Sequence, residues 1–294
     1  MPPIPRDRVE EAYRLLQRVQ RRDLVAPELS DTFTDLYTVC LDALDAYDRV
    51  ALTSRIAGKQ YFAFQDPATG TISRAVSTDL YAPEVDSWRE FVDALRGNDY
   101  AAAGLDPDSV TRTLYSLAIS FCAVIDLTRT RDQKTPGTFF EYFIGHLFAS
   151  RLGASPTTRL PVLNLDMDTT LPTDYVFDLG AGRPKFHLPI KTSTRERVIQ
   201  VWAHQRVLDG VYGTGRFLGT PVILAETKTD RRRLEVVEIC LPDQWRIYQM
   251  HIAQLTRIYY LDVPSTYERL NDVFPPLHVR PFGEFFFEVD ELTA

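Results

Sequence analysis

From about residue 135 onward, helical and strand periodicities alternate in an order that few folds can accommodate. Residues 139–152 predict a helix that is apolar almost all round. Residues 160–165, 173–179 and 186–191 predict strands, and residues 192–208 a helix. Residues 221–225 and 234–240 predict two more strands, and residues 243–255 another helix. An α-β-β-β-α-β order fits a mixed central sheet with helices on both faces, an α/β (α+β) class.

The first 130 residues have a different texture and read mostly as helix. Residues 9–19 and 32–50 carry apolar side chains at helical spacing. Between them and the next helices, residues 60–64 and 71–76 flank an Asp66–Gly70 turn and predict a hairpin. Residues 88–95 predict a short helix. Residues 110–127 predict a longer one, with Asp106 or Asp108 as its cap. The polar run at residues 129–134, followed by Thr135-Pro136-Gly137, marks a soft boundary. It divides a helical N-terminal region, 1–130, from a core, 131–294.

With 294 residues the chain suits one large domain, or a core with a helical extension. Its net charge of -7 argues against coating nucleic acid through bulk charge, although local basic grooves remain open. Cys40, Cys122 and Cys240 form no CxxC pair, so no zinc knuckle or redox motif is present, and their odd number argues against a disulfide framework. The N-terminus carries no apolar signal-peptide run, and no apolar stretch is expected to reach the ~18 residues of a membrane span. The expected compartment is a reducing cytoplasm.

The chemistry-bearing residues cluster in two adjacent segments, 173–178 (TDYVFD) and 185–200 (KFHLPIKTSTRERVIQ). Strand alternation places Asp174, Val176 and Asp178 on one face, and Lys185, His187, Pro189 and Lys191 opposite the apolar Phe186, Leu188 and Ile190. If the two strands pair, Asp174 and Lys191 meet at a sheet edge, as a metal-assisted phosphodiesterase would require or as an ordinary surface salt bridge would. On the following helix Arg197, Gln200 and His204 share a face, with Arg195 nearby. They could be phosphate donors or a solvated amphipathic surface. Glu141 sits in an apolar helix, one turn before Gly145, which would let another element approach closely. Glu141 is open to two readings, a metal ligand or the last member of a Thr138–Glu141 capping box.

The order Glu141, Asp174, Lys191-Thr-Ser-Thr-Arg-Glu-Arg197, Gln200 resembles the PD-(D/E)XK nuclease superfamily, and within it the type II restriction endonucleases of the EcoRII type. The resemblance covers about residues 135–262. It implies a restriction-endonuclease-like core and a Mg²⁺-dependent endonuclease that hydrolyses phosphodiester bonds at a short double-stranded DNA site. Asp174 and Glu141 would hold the metal, Lys191 would orient the attacking water, and Arg195, Arg197 and Gln200 would contact DNA phosphate. A homodimer matched to a palindrome would follow, with residues 1–130 supplying DNA or dimer contacts. One departure is Pro189, which stands where the superfamily places an acid two residues before its lysine. That departure keeps a catalytically inactive DNA-binding homologue open, beside a repair or mobile-element nuclease. Asp178 ranks lower as a structural acid. The basic run Lys228–Arg233 and the glycine-rich residues 210–219 read as a solvated turn and a loop that could face DNA.

Overall fold

Helix formation in the N-terminal half follows local signals closely. The computed structural model describes residues 5–129, 131–162, 169–180, 182–195 and 198–293. It opens with α1 (Pro5–Gln20) and α2 (Pro27–Leu44), then β1 (Asp48–Ser54), β2 (Tyr61–Gln65) and the short β3 (Val76–Ser77). Helices α3 (Val85–Gly97), α4 (Pro107–Thr128) and α5 (Lys134–Leu152) follow. Strands β4 (Thr157–Pro161), β5 (Thr170–Phe177), β6 (Lys185–Leu188) and β7 (Ile190–Lys191) lead into α6 (Ile199–Tyr212). Then come β8 (Phe217–Gly219), β9 (Val222–Ile223), β10 (Thr227–Asp230), β11 (Glu235–Glu238) and α7 (Pro242–His251). The chain closes with β12 (Ile258–Tyr260), α8 (Ser265–Glu268), β13 (Val279–Pro281) and α9 (Phe285–Thr293).

Helix α4 starts where the sequence says it should. The Asp106 carboxylate accepts the Ser109 amide while the Ser109 hydroxyl accepts the Asp106 amide, so two orphan donors are satisfied reciprocally. By length and composition α4 could cross a bilayer, contrary to the sequence expectation. Here it is the central core helix instead. Its residues are buried nearly all round, and its one buried acid, Asp126, is held bidentately by the Arg74 guanidinium at 2.7 and 2.9 Å. Aromatic side chains from α2, α3, α4 and α5 fill the space around it, among them Phe33, Trp88, Phe121, Phe139 and Phe143.

The strands fall into three sheets, ordered β10-β11-β1-β2-β3, β4-β5-β6-β8 and β7-β9-β12-β13. The last two form one mixed surface broken at Pro189. Strand β6 pairs in parallel with β8, and β7 pairs with β9 in the same register on the far side of the proline. Pro189 has no N–H to give a partner strand, yet its carbonyl still accepts the Val222 amide at 2.9 Å. Strand β5 pairs with β6 antiparallel, setting Val176 opposite His187.

Several local expectations differ from the observed structure. The helix expected over 32–50 ends at Leu44, and Asp48–Ser54 is a strand. That strand pairs antiparallel with β2 and parallel with β11, so tertiary partners decide its state. Residues on either side of position 130 therefore share a sheet. The helix expected to begin at Thr192 begins at Ile199, and the strand expected over 160–165 is Thr157–Pro161, with 163–168 outside the described residues. Helix α5 begins at Lys134, which puts Thr138 and Glu141 inside it. The capping-box reading of Glu141 is thereby overturned.

Candidate active site

Strand pairing brings Asp174 and Lys191 together. The Lys191 ammonium lies 2.8 Å from Oδ2 of Asp174, and the same oxygen accepts the Ile190 amide at 2.7 Å. That amide is available because Pro189 interrupts the ladder at the residue before it. Both side chains remain about a quarter exposed, so the pair opens to solvent at the edge of the broken sheet.

Helix α5 delivers Glu141 to the same place. Gly145, one turn on, makes this possible: a Cβ there would stand 2.5 Å from Cε2 of Tyr175. With hydrogen instead, α5 sits directly on β5, next door to Asp174. Glu141 is half-buried and makes no hydrogen bond among the described residues. Burial pushes its carboxyl above the ordinary glutamate range; the Asp174 charge pushes the same way and Lys191 opposes. The three side chains named from the sequence thus interact electrostatically, as two carboxylates facing one ammonium.

Two oxygen-donor carboxylates suit a hard divalent cation such as Mg²⁺, which keeps several of its waters. Glu141, a half-buried acid without a hydrogen-bonded partner among the described residues, fits that use. Among the described residues no cluster of three or more His, Cys, Asp or Glu side chains gathers around a metal-sized space. Among the described residues the acids that interact at this point are Asp174 and Glu141, and Pro189 supplies none.

Asp178 stays apart, paired with Lys185 at 2.6 Å at the other end of the β5–β6 hairpin. Gln200 and His204 lie one turn apart on α6, Gln200 exposed and His204 half-buried. His204 is within electrostatic reach of Asp174 and Lys191, and burial lowers its pKa. Arg195 is exposed and precedes α6, in a left-handed backbone conformation with φ 39°. Arg197 and Glu196 lie outside the described residues. His187 is a core residue: its Nδ1 bonds Gln205 at 3.0 Å, and burial lowers its pKa to about 4. Lys228 lies in β10, and Arg231–Arg233 form the exposed turn into β11, whose backbone is tied by Asp230.

Sequence reasoning missed Glu226. This carboxylate is 1% exposed and accepts from Ser193 Oγ at 2.7 Å, from the Thr194 amide at 2.9 Å and from the Tyr260 hydroxyl at 3.2 Å. A charged residue directly after the apolar run Pro221–Ala225 was its only signal.

No protein-family model and no curated protein matches the chain in sequence. Solved structures do match it. The crystal structure of the type IIP restriction endonuclease Kpn2I aligns with a TM-score of 0.74, covering 93% of this chain and 97% of that one at 24% identity. A complex of the restriction endonuclease PspGI with substrate DNA aligns at a TM-score of 0.45, over 70% of this chain and 90% of that one, at 14% identity. The first likeness assigns the fold: this chain has a restriction-endonuclease-like α/β architecture.

Proposed function

We propose that the chain is a Mg²⁺-dependent endonuclease that cuts double-stranded DNA at a short specific site, a type II restriction endonuclease with an EcoRII-like catalytic core. The observation that carries this reading is the meeting of Asp174, Lys191 and Glu141 on the broken edge of a sheet of this fold. Asp174 and Glu141 would hold the metal, which when bound polarises the scissile phosphate and acidifies a water. Lys191 does the chain's own electrostatic work. Its ammonium, held by Asp174, orients the attacking water and offsets the charge that builds on the phosphorus oxygens. Ile190 N–H keeps Asp174 oriented when Lys191 turns to the substrate. Arg195, Arg197 and Gln200 follow in the chain and would contact phosphate, Arg through its planar fork of donors. The enzyme would act as a homodimer in a cytoplasm, its two-fold axis matched to a palindrome.

A second reading has one observation behind it. Pro189 removes an acid, which favours a DNA-binding homologue that does not cut. Unmethylated plasmid or phage DNA incubated with Mg²⁺ and either wild type or Lys191→Ala separates the readings. Discrete fragments from the wild type alone support the restriction enzyme. A smear lost in the variant supports a non-specific nuclease, of a repair or mobile-element kind. Intact DNA that is nonetheless retarded on a gel supports the binding protein. Neither cutting nor binding rejects the nucleic-acid reading altogether.

A further inference from the structure

We propose that Glu226 is the positioning residue of this active site: its buried carboxylate clamps the turn that carries Lys191 and Arg195. The inference rests on the nuclease reading and extends it to a residue outside the catalytic motif.

The chain leaves the sheet just after Lys191. Up to that point backbone bonds hold it. The Lys191 carbonyl accepts the Leu224 amide at 3.0 Å, and the Thr192 carbonyl accepts the Ala225 amide at 3.3 Å. At residues 193 and 194 the backbone diverges and the ladder stops. Glu226, the next residue along the segment that follows β9, takes over with its side chain. Oε2 accepts from Ser193 Oγ at 2.7 Å; Oε1 accepts from the Thr194 amide at 2.9 Å and from Thr194 Oγ1 at 2.5 Å. The Tyr260 hydroxyl, from β12, donates to Oε1 at 3.2 Å and braces the carboxylate from behind. Thr194 is 3% exposed, so its amide has no water to turn to if the carboxylate is lost.

Strain makes the clamp necessary. Arg195, the very next residue, has φ 39°, a left-handed conformation that a side chain with a Cβ adopts only at a cost. Without an anchor at 193–194 the turn would relax, and two things would move with it. Lys191 would lose its fixed approach to Asp174, and Arg195 would swing away from its exposed position ahead of α6. A buried acid is costly, and no charged partner meets this one among the described hydrogen bonds and ion pairs. Four donors converging on it from one turn and one tyrosine identify the turn as what it is there to hold.

The test compares wild type with Glu226→Gln and Glu226→Asp in two measurements: plasmid cleavage with Mg²⁺, and hydrogen exchange across residues 190–195. Glu226→Gln places an amide where one of the turn's donors needs an acceptor. We expect kcat to fall about 10- to 100-fold, from the displaced Lys191, with a smaller rise in KM from the displaced Arg195. Exchange should quicken at 190–195 and not in the rest of the core. Glu226→Asp, which keeps the charge, should recover part of kcat. An unchanged kcat in Glu226→Gln overturns the proposal. So does a fall in kcat accompanied by faster exchange throughout the core, which would mean general loosening. A wild type that cuts nothing sinks the nuclease reading, and exchange then decides the clamp alone. Acceleration confined to 190–195 keeps it, and unchanged exchange rejects it.

Discussion

Replacing Gly145 by alanine should damage activity more than stability, and the structure sets the sizes. A Cβ at this position would stand 2.5, 3.0 and 3.2 Å from Cε2, Cζ and Cδ2 of Tyr175. Carbon atoms attract best at about 3.5–4.0 Å, so the helix or the ring must give by about 1 Å. The ring has little room: Tyr175 is 7% exposed and packs beside Phe177. Two effects oppose each other. Alanine favours a helix over glycine by about 1 kcal/mol, while overpacking a core costs about 1–3 kcal/mol. The balance is a net loss of about 1 kcal/mol, which lowers Tm by about 2–4 °C. If α5 is what moves, Glu141 moves with it, and a catalytic group displaced by about 1 Å can cost about 100-fold in rate. Differential scanning fluorimetry and single-turnover DNA cleavage would read the two numbers. A higher Tm with an undiminished cleavage rate would refute the reasoning, because it would mean that α5 and β5 are not in tight contact and that Glu141 is not seated by Gly145.

Other expectations follow from the same contacts. Lys191→Ala should cut the cleavage rate by about 100- to 1,000-fold, the usual loss for one electrostatic donor at a developing anion, and a gel assay of plasmid fragments measures it. Glu141→Gln should raise Tm near neutral pH while abolishing cleavage. The Glu141 carboxyl has its pKa raised by burial, so the folded state binds its proton more readily than the unfolded state does. The group's destabilisation is therefore absent below the ordinary value of 4.5 and grows as pH rises past it. The gain in Tm should disappear in acid, and a variant equally stabilised at every pH would contradict this account. Millimolar Mg²⁺ should raise the Tm of the wild type and not of Asp174→Asn, since only an intact donor set binds the ion in the folded state. Lys59→Met should cost about 3 kcal/mol in urea unfolding. It strands Asp262, which is 2% exposed and paired to Lys59 at 2.5 Å; among the described residues the Tyr61 hydroxyl, at 3.0 Å, is then the side-chain donor left to hold it.

The candidate site was legible to the extent that it follows strand alternation and helix phase. Asp174 and Lys191 were placed on one face by period-two counting, and the ion pair forms there. Gly145 was read as a point of close approach, and Tyr175 is what approaches. The same method left Glu141 open between a metal ligand and a helix cap, because its spacing from Thr138 imitates a cap. The true start of α5 lies a turn earlier, so local spacing alone pointed to a cap that does not exist. It also missed that Asp48–Ser54 is a strand: residues 48–52 pair with Tyr61–Gln65 across a short loop, and Thr53 and Ser54 pair with Glu235 and Val236, nearly two hundred residues away.

What the sequence determined by itself was the set of short-range choices. These are the cap of α4 at Asp106 and the alternation that puts a carboxylate and a lysine toward each other, whereas the strand expected over 186–191 is split at Pro189 into β6 and β7. The cap and the alternation each depend on groups within a few residues, so the chain encodes them directly. Tertiary structure decided which distant groups share a space: Glu141 beside Asp174, Lys59 beside Asp262, and Glu226 beneath the turn at Ser193 and Thr194. Those pairings arise from packing helices and strands together. A buried carboxylate's partners can be recognised only once that packing has removed water from around it.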